Sequence, residues 1–197
     1  MALRKIITEE DPLLRKQSRE IGEITDRIRI LAMDMWETMY EANGIGLAAP
    51  QVGVLRRLVV IDVALPAEEE DEGADGLLEG KKSEEDLSGE PEPEPESIKC
   101  VLINPEIIEV SEDTVISKEG CLSVPGMIGE VERPRQVKIR ALDLEGNQFE
   151  LEGEGLLAKA LLHEIDHLNG IVYTDIAMSM EPVDPNPQAE EGGQGEQ

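Results

Sequence analysis

The chain has 197 residues, with 44 acidic against 18 basic side chains, a net charge of −26 and a single Trp and a single Phe. So acidic a chain is not expected to bind nucleic acid directly. It also lacks any apolar run long enough to cross a bilayer, so no membrane role is read from it.

At the start, Ala2 to Lys5 is followed by only two isoleucines before Thr8-Glu9-Glu10-Asp11, so no secretory leader is read. A cytoplasmic, soluble protein is expected. Ile28, Leu31, Ala32, Met35 and Met39 recur on one side of a helix predicted over Thr25 to Asn43, with Trp36 and Tyr40 beside them. Gly44 then reads as its left-handed cap. The loop it opens, Gly44-Ile45-Gly46-Leu47-Ala48-Ala49-Pro50-Gln51-Val52-Gly53, is small and apolar except for one amide. Such a loop lets backbone crowd a substrate, although Gln51 taken alone reads as an ordinary loop amide.

Leu55 to Val63 and Cys100 to Val110 read as strands on either side of an insertion. The insertion, Ala64 to Lys99, holds 14 acidic and 3 basic side chains with repeated Glu-Pro and no aromatics, which is the composition of a disordered segment. A strand over Thr114 to Ser117 leads into Lys118-Glu119-Gly120-Cys121-Leu122-Ser123-Val124-Pro125-Gly126, where glycines allow close backbone approach. Two further strands, Gln136 to Asp143 and Gln148 to Glu152, flank a hairpin turn at Glu145-Gly146-Asn147.

A second helix begins at about Glu154 to Gly155 and carries the only two histidines, in Leu161-Leu162-His163-Glu164-Ile165-Asp166-His167. At 3.6 residues per turn His163 and His167 share one face, so both imidazoles can converge on one metal ion with Glu164 beside them. Leu156, Leu157, Ala160, Leu161, Ile165 and Leu168 recur at helical spacing as an adjoining buried stripe, and Gly170 reads as the stop. A His-Glu-x-x-His pattern also arises by chance, and it needs a third ligand to mean chemistry. The chain has no third histidine, and Glu181 falls in a Pro-rich tail read as unfolded, so an upstream donor is expected. Cys121 is the best candidate; by itself, a free cysteine is more often a small core residue. The tail from 181 to 197 has five acidic and no basic residues and reads as flexible.

Together the three segments resemble the peptide deformylase family, whose pattern is Gly-x-Gly-x-Ala-Ala-x-Gln, then Glu-Gly-Cys-x-Ser, then His-Glu-x-Asp-His. The match runs from about Ile6 to Asp175. The resemblance implies an α+β fold of antiparallel sheets packed around a central metal-binding helix, as one catalytic domain over residues 1 to 180. It implies Cys121, His163 and His167 as metal ligands and Glu164 as general base. It implies the Gln51 amide and the Leu122 N–H as donors to the formyl oxygen, and Ile45, Gly46 and Gly120 as substrate-binding positions. The metal implied is Fe2+, with Zn2+, Ni2+ or Co2+ as alternatives, and the substrate is the formylmethionine start of a nascent peptide.

The face of Leu156 and Ala160 is expected to wall the methionine pocket. With Cys121 on a metal, Cys100 has no disulfide partner, and a reducing compartment follows. Three departures from the family pattern stand out: Leu162 where many members have glutamine, the acidic insertion, and a C-terminus without lysine where some members carry a basic ribosome-docking helix. Any ribosome encounter is therefore expected to be transient.

Overall fold

A computed structural model describes residues 2 to 65 and 97 to 183. The expected α+β class is found. Helix α1 spans Asp26–Glu41 and α2 spans Gly155–Leu168. Strands β1 (Gly46–Ala48), β2 (Leu58–Ala64), β3 (Ser97–Val110), β6 (Gln136–Leu142) and β7 (Gln148–Glu154) form an antiparallel sheet in the order β1-β2-β3-β6-β7. Strands β4 (Thr114–Cys121), β5 (Val124–Pro134) and β8 (Ser179–Pro182) form a second sheet in the order β4-β5-β8.

The near-continuous apolar run of β2 has a direct cause: a helix covers each face of the larger sheet. Val59, Ile61 and Val63 pack with Leu157, Leu161, Ile165 and Leu168 of α2, whereas Leu58 and Val60 pack with Leu31, Met35 and Met39 of α1. Alternation along one strand thus feeds two cores. A third cluster of Leu14, Val124, Val131, Val172 and Tyr173 ties the smaller sheet to the N-terminal arm and to the chain after α2. Gly170, at φ +79°, stops α2 as expected, and its missing side chain admits the Arg15 backbone, since a Cβ there would lie 2.8 Å from the Arg15 carbonyl carbon.

Several expectations need correction. The left-handed residue after α1 is Asn43, at φ 54°, and not Gly44; a side chain on Gly44 would instead meet Leu122 Cδ1 at 2.8 Å. Leu156 is not part of the buried stripe but is 44% exposed. The insertion is shorter than Ala64 to Lys99, because Ala64 pairs with Ser97, Val63 with Ile98 and Asp62 with Lys99 in the β2–β3 ladder. The remainder, 66 to 96, lies outside the described residues. Nor does the domain end at 180: Glu181 and Pro182 pair with Ile128 and Met127, Glu181 forms an ion pair with Lys118, and Val183 N–H donates to the Gly126 carbonyl. The segment 184 to 197, also read as flexible tail, lies outside the described residues. Finally, β5 lies outside every strand read from the sequence.

A buried carboxylate on α1 fastens the first residues of the N-terminal arm. Asp34 accepts from Ala2 N–H at 2.9 Å and from Arg4 Nε and Nη2 at 3.1 and 2.9 Å. The Ala2 hydrogen bond, with Arg4 adding to it, holds the Asp34 carboxyl below its ordinary range. A carboxyl lowered on folding adds stability above its unfolded pKa and loses it as the pH falls through the folded value. Asp34→Asn is therefore expected to cost about 1–2 kcal/mol at pH 7. In urea melts the gap to the parent should close as the pH drops below about 3.8, the usual aspartate value.

Candidate metal centre

Three elements converge on one cleft. The second half of α2 supplies His163, Glu164 and His167; the end of β4 supplies Glu119, Gly120 and Cys121; and β1 with the short 3-10 helix Ala49–Val52 supplies Gly46 and Gln51. A ligand atom from each of Cys121, His163 and His167 lies within 4.8 Å of the others, and Cys121 Sγ is 3.2 Å from His167 Nε2. The cleft has a volume of about 470 Å³.

One imidazole is oriented by a hydrogen bond on its far side. His163 Nδ1 meets Glu119 Oε2 at 2.9 Å, which leaves Nε2 for the centre. Glu119 is itself held by Arg133, whose Nε and Nη2 donate to its two oxygens at 2.8 and 3.1 Å while Nη1 donates to Asp166 Oδ2 at 2.5 Å. Burial alone would raise the Glu119 carboxyl, but the hydrogen bonds from His163 and Arg133 outweigh it and bring it down to about 2. Burial likewise disfavours charge on His163, yet Cys121 and Glu119 push it up to about 10, whereas burial and the neighbouring His163 lower His167. One sulfur with two nitrogens within 4.8 Å of one another is a donor set that suits a transition metal with a position left open.

Glu164 occupies the adjoining wall. It is 5% exposed, its Oε2 has no hydrogen-bond partner among the described residues, and burial raises its carboxyl to about 7. Gly46 makes room for it, since a Cβ there would lie 2.6 Å from Glu164 Oε1. Gln51 is no ordinary loop amide: it is 1% exposed and its Oε1 accepts from Ala48 N–H at 2.8 Å. Its Nε2 is thereby turned to the centre, 3.4 Å from Cys121 Sγ and 3.3 Å from Ser123 Oγ. Leu122, in the turn between β4 and β5, lines the cleft with Ile45, Gly120, Leu156 and Ala160.

The sequence matches the family model described as Polypeptide deformylase over residues 3–183. The chain belongs to the peptide deformylase family. It is 47% identical to the peptide deformylase of Alkaliphilus metalliredigens (strain QYMF) over 175 residues, covering 89% of this chain and 97% of the relative. A second relative, from Caldicellulosiruptor bescii, is 49% identical over 175 residues, 89% of this chain and 86% of its own. Among solved structures, the peptide deformylase of Ehrlichia chaffeensis aligns with a TM-score of 0.71 at 39% identity, over 90% of this chain and 89% of that one. That of Thermotoga maritima gives 0.71 at 31%, over 91% and 100%.

Peptide deformylases hydrolyse the N-formyl group from the formylmethionine that begins a nascent polypeptide and release formate, and this chain is a metal-dependent hydrolase of that kind. All the positions singled out from the sequence lie in or beside the deformylase cleft. The residues not singled out are Glu119, Arg133 and Asp166, which orient the metal helix from behind. Glu119 and Asp166 stand inside two of the three family patterns, which is the available signal; Arg133, on β5, stands in none. Leu162, where glutamine is common in the family, is a 6% exposed core residue packed with the α2 cluster.

Proposed function

We propose that Cys121, His163 and His167 hold the catalytic metal, that this metal is Fe2+, and that Glu164 is the general base. The observation that carries the reading is the Glu164 carboxylate: buried, unpartnered at one oxygen, raised to about 7 and seated beside the three donors. When bound, the metal polarises the formyl carbonyl and lowers the pKa of water at the site. Glu164 takes a proton from the attacking water as its oxygen adds to the formyl carbon. The Gln51 Nε2–H and the Leu122 N–H donate to the oxygen on which negative charge develops. As the C–N bond breaks, Glu164 returns the proton to the amine nitrogen, and formate and a free N-terminus leave. Leu156 and Ala160 form the wall against which the methionine side chain rests, and Ile45, Gly46 and Gly120 border the extended peptide.

The test is formate release from a formyl-Met tripeptide by protein purified anaerobically, with metal quantified on the same sample. Rapid release with about one iron per chain is expected, and activity should fall on exposure to air. Zinc in the active sample would replace iron in this reading, while iron-loaded protein that releases no formate would remove the catalytic assignment. We further propose cytoplasmic action on nascent chains through transient ribosome encounters. The free thiols Cys100 and Cys121 and the net charge of −26 support this. Among the described residues no helix is long and apolar enough to cross a membrane.

Gly46→Ala is expected to lower kcat/KM by about 10²-fold, because its methyl group cannot coexist with the present position of the Glu164 carboxylate. Metal content should be unchanged. A variant as active as the parent would show that Glu164 works equally well when displaced.

A further inference from the structure

The two sheets present free edges to the cleft, and on one of them the carbonyl of the second rung already has a partner. Strand β5 is the middle strand of its sheet, so successive residues turn their backbone groups alternately to β4 and to β8. The carbonyls of Gly126 and Glu130 accept from Val183 and Met178 N–H, on the β8 side. Ile128 and Glu130 therefore turn away from β4. Their opposite numbers, Gly120 and Lys118, turn their N–H and C=O groups outwards from the sheet. Across the cleft, the Ile45 carbonyl accepts from Asp62 N–H, so it is Gly46 that turns its backbone groups to the open side of β1.

An extended peptide lying between these edges adds to them as a strand. It finds Gly120 open. The next outward carbonyl on β4, that of Lys118, is occupied: Lys159 Nζ donates to it at 3.1 Å. Lys159 lies one turn before His163, on the cleft face of α2 with Leu156 and Ala160. Its ammonium already holds one acceptor position on the oxygen that the next donor of an added strand would use.

We propose that Lys159 is a specificity-determining residue that ends backbone recognition of the peptide at Gly120. Resting on the deformylase reading above, it assigns to the enzyme a recognition length as well as a recognised first residue. The formylmethionine and the peptide unit that follows it are gripped through the backbone, and residues further along contribute little. Such a stop suits an enzyme that must accept many different proteins at their common start.

The test is kcat/KM for formate release over formyl-Met peptides of two to five residues, for the parent, Lys159→Met and Lys159→Arg. Methionine keeps an apolar stem and gives up the donor; arginine keeps a donor. The parent should level off at three residues. In Lys159→Met the ratio of the five-residue to the three-residue substrate should rise about three- to tenfold, the effect of one added hydrogen bond, and Lys159→Arg should follow the parent. Because the comparison is a ratio within each variant, a change in the active fraction cancels. An equal or lower ratio in Lys159→Met overturns the proposal, as does a rise that arginine shares. Absence of formate from every peptide with the parent enzyme would overturn the deformylase reading instead, so the two failures are distinct.

Discussion

Glu164→Gln is expected to lower formate release from formyl-Met peptides by about 10²–10⁴-fold while the metal content stays at the parental level. The amide has the shape of the carboxylate and fits the space left by Gly46, so the site keeps its form. What it loses is a basic oxygen. Glu164 Oε2 has no hydrogen-bond partner among the described residues, and burial holds the group at about 7, close to the point where a carboxyl both takes and returns a proton at neutral pH. A glutamine there accepts a hydrogen bond but no proton. Paired metal analysis and formate assays decide the matter: equal rates in variant and parent would take the base role away from Glu164. A parent that binds metal and releases nothing would point to a non-catalytic relative.

The largest effect on stability is expected at Arg133, which touches neither substrate nor metal ligand. Arg133→Met should destabilise the fold by about 3–5 kcal/mol, because it leaves two carboxylates, one of them 3% exposed, without their cation. The chain of contacts runs from Asp166 through Arg133 to Glu119 and on to His163 Nδ1, so the loss also loosens one imidazole. The pH dependence has a definite sign. A Glu119 carboxyl brought to about 2 from 4.5 adds stability above pH 4.5 and loses it as the pH falls toward 2. Without the guanidinium its folded pKa rises, and acid unfolding should begin at a higher pH. Urea melts of parent and variant at matched metal content measure both effects. A loss below about 1 kcal/mol would mean that Glu119 and Asp166 find other partners or water.

Much of the centre was legible in the linear order of residues, for local reasons. Two histidines four apart on a helix share a face whatever the rest of the chain does, and Glu164 must then flank them. Alternation and turn chemistry likewise placed the β6–β7 hairpin, whose Gly146 has the expected positive φ of 87°. The third donor was legible only in combination with its neighbours, since Cys121 alone reads as a small core residue.

The misses share a different cause. Strand β5 contains two prolines and two glycines among charged residues, so no period announced it; it exists because β4 and β8 flank it on both sides. The short β8 is exposed throughout, and its strand character comes from pairing with β5. Gly46 read as room for a peptide. In the fold its missing side chain accommodates Glu164, a residue 118 positions later, while its backbone faces the cleft.

By itself, then, the sequence determined the class of fold, the family and the chemistry of the metal donors, because helical spacing, residue type and short motifs are local properties. Tertiary structure alone decided that Arg133 bridges Glu119 and Asp166, that Gly46 yields space to a carboxylate, and that Lys159 donates to the outward carbonyl of Lys118 on an open strand edge. Each depends on which backbone and side-chain groups find partners across the fold, and those pairings are set by strand register and packing between segments distant in the chain.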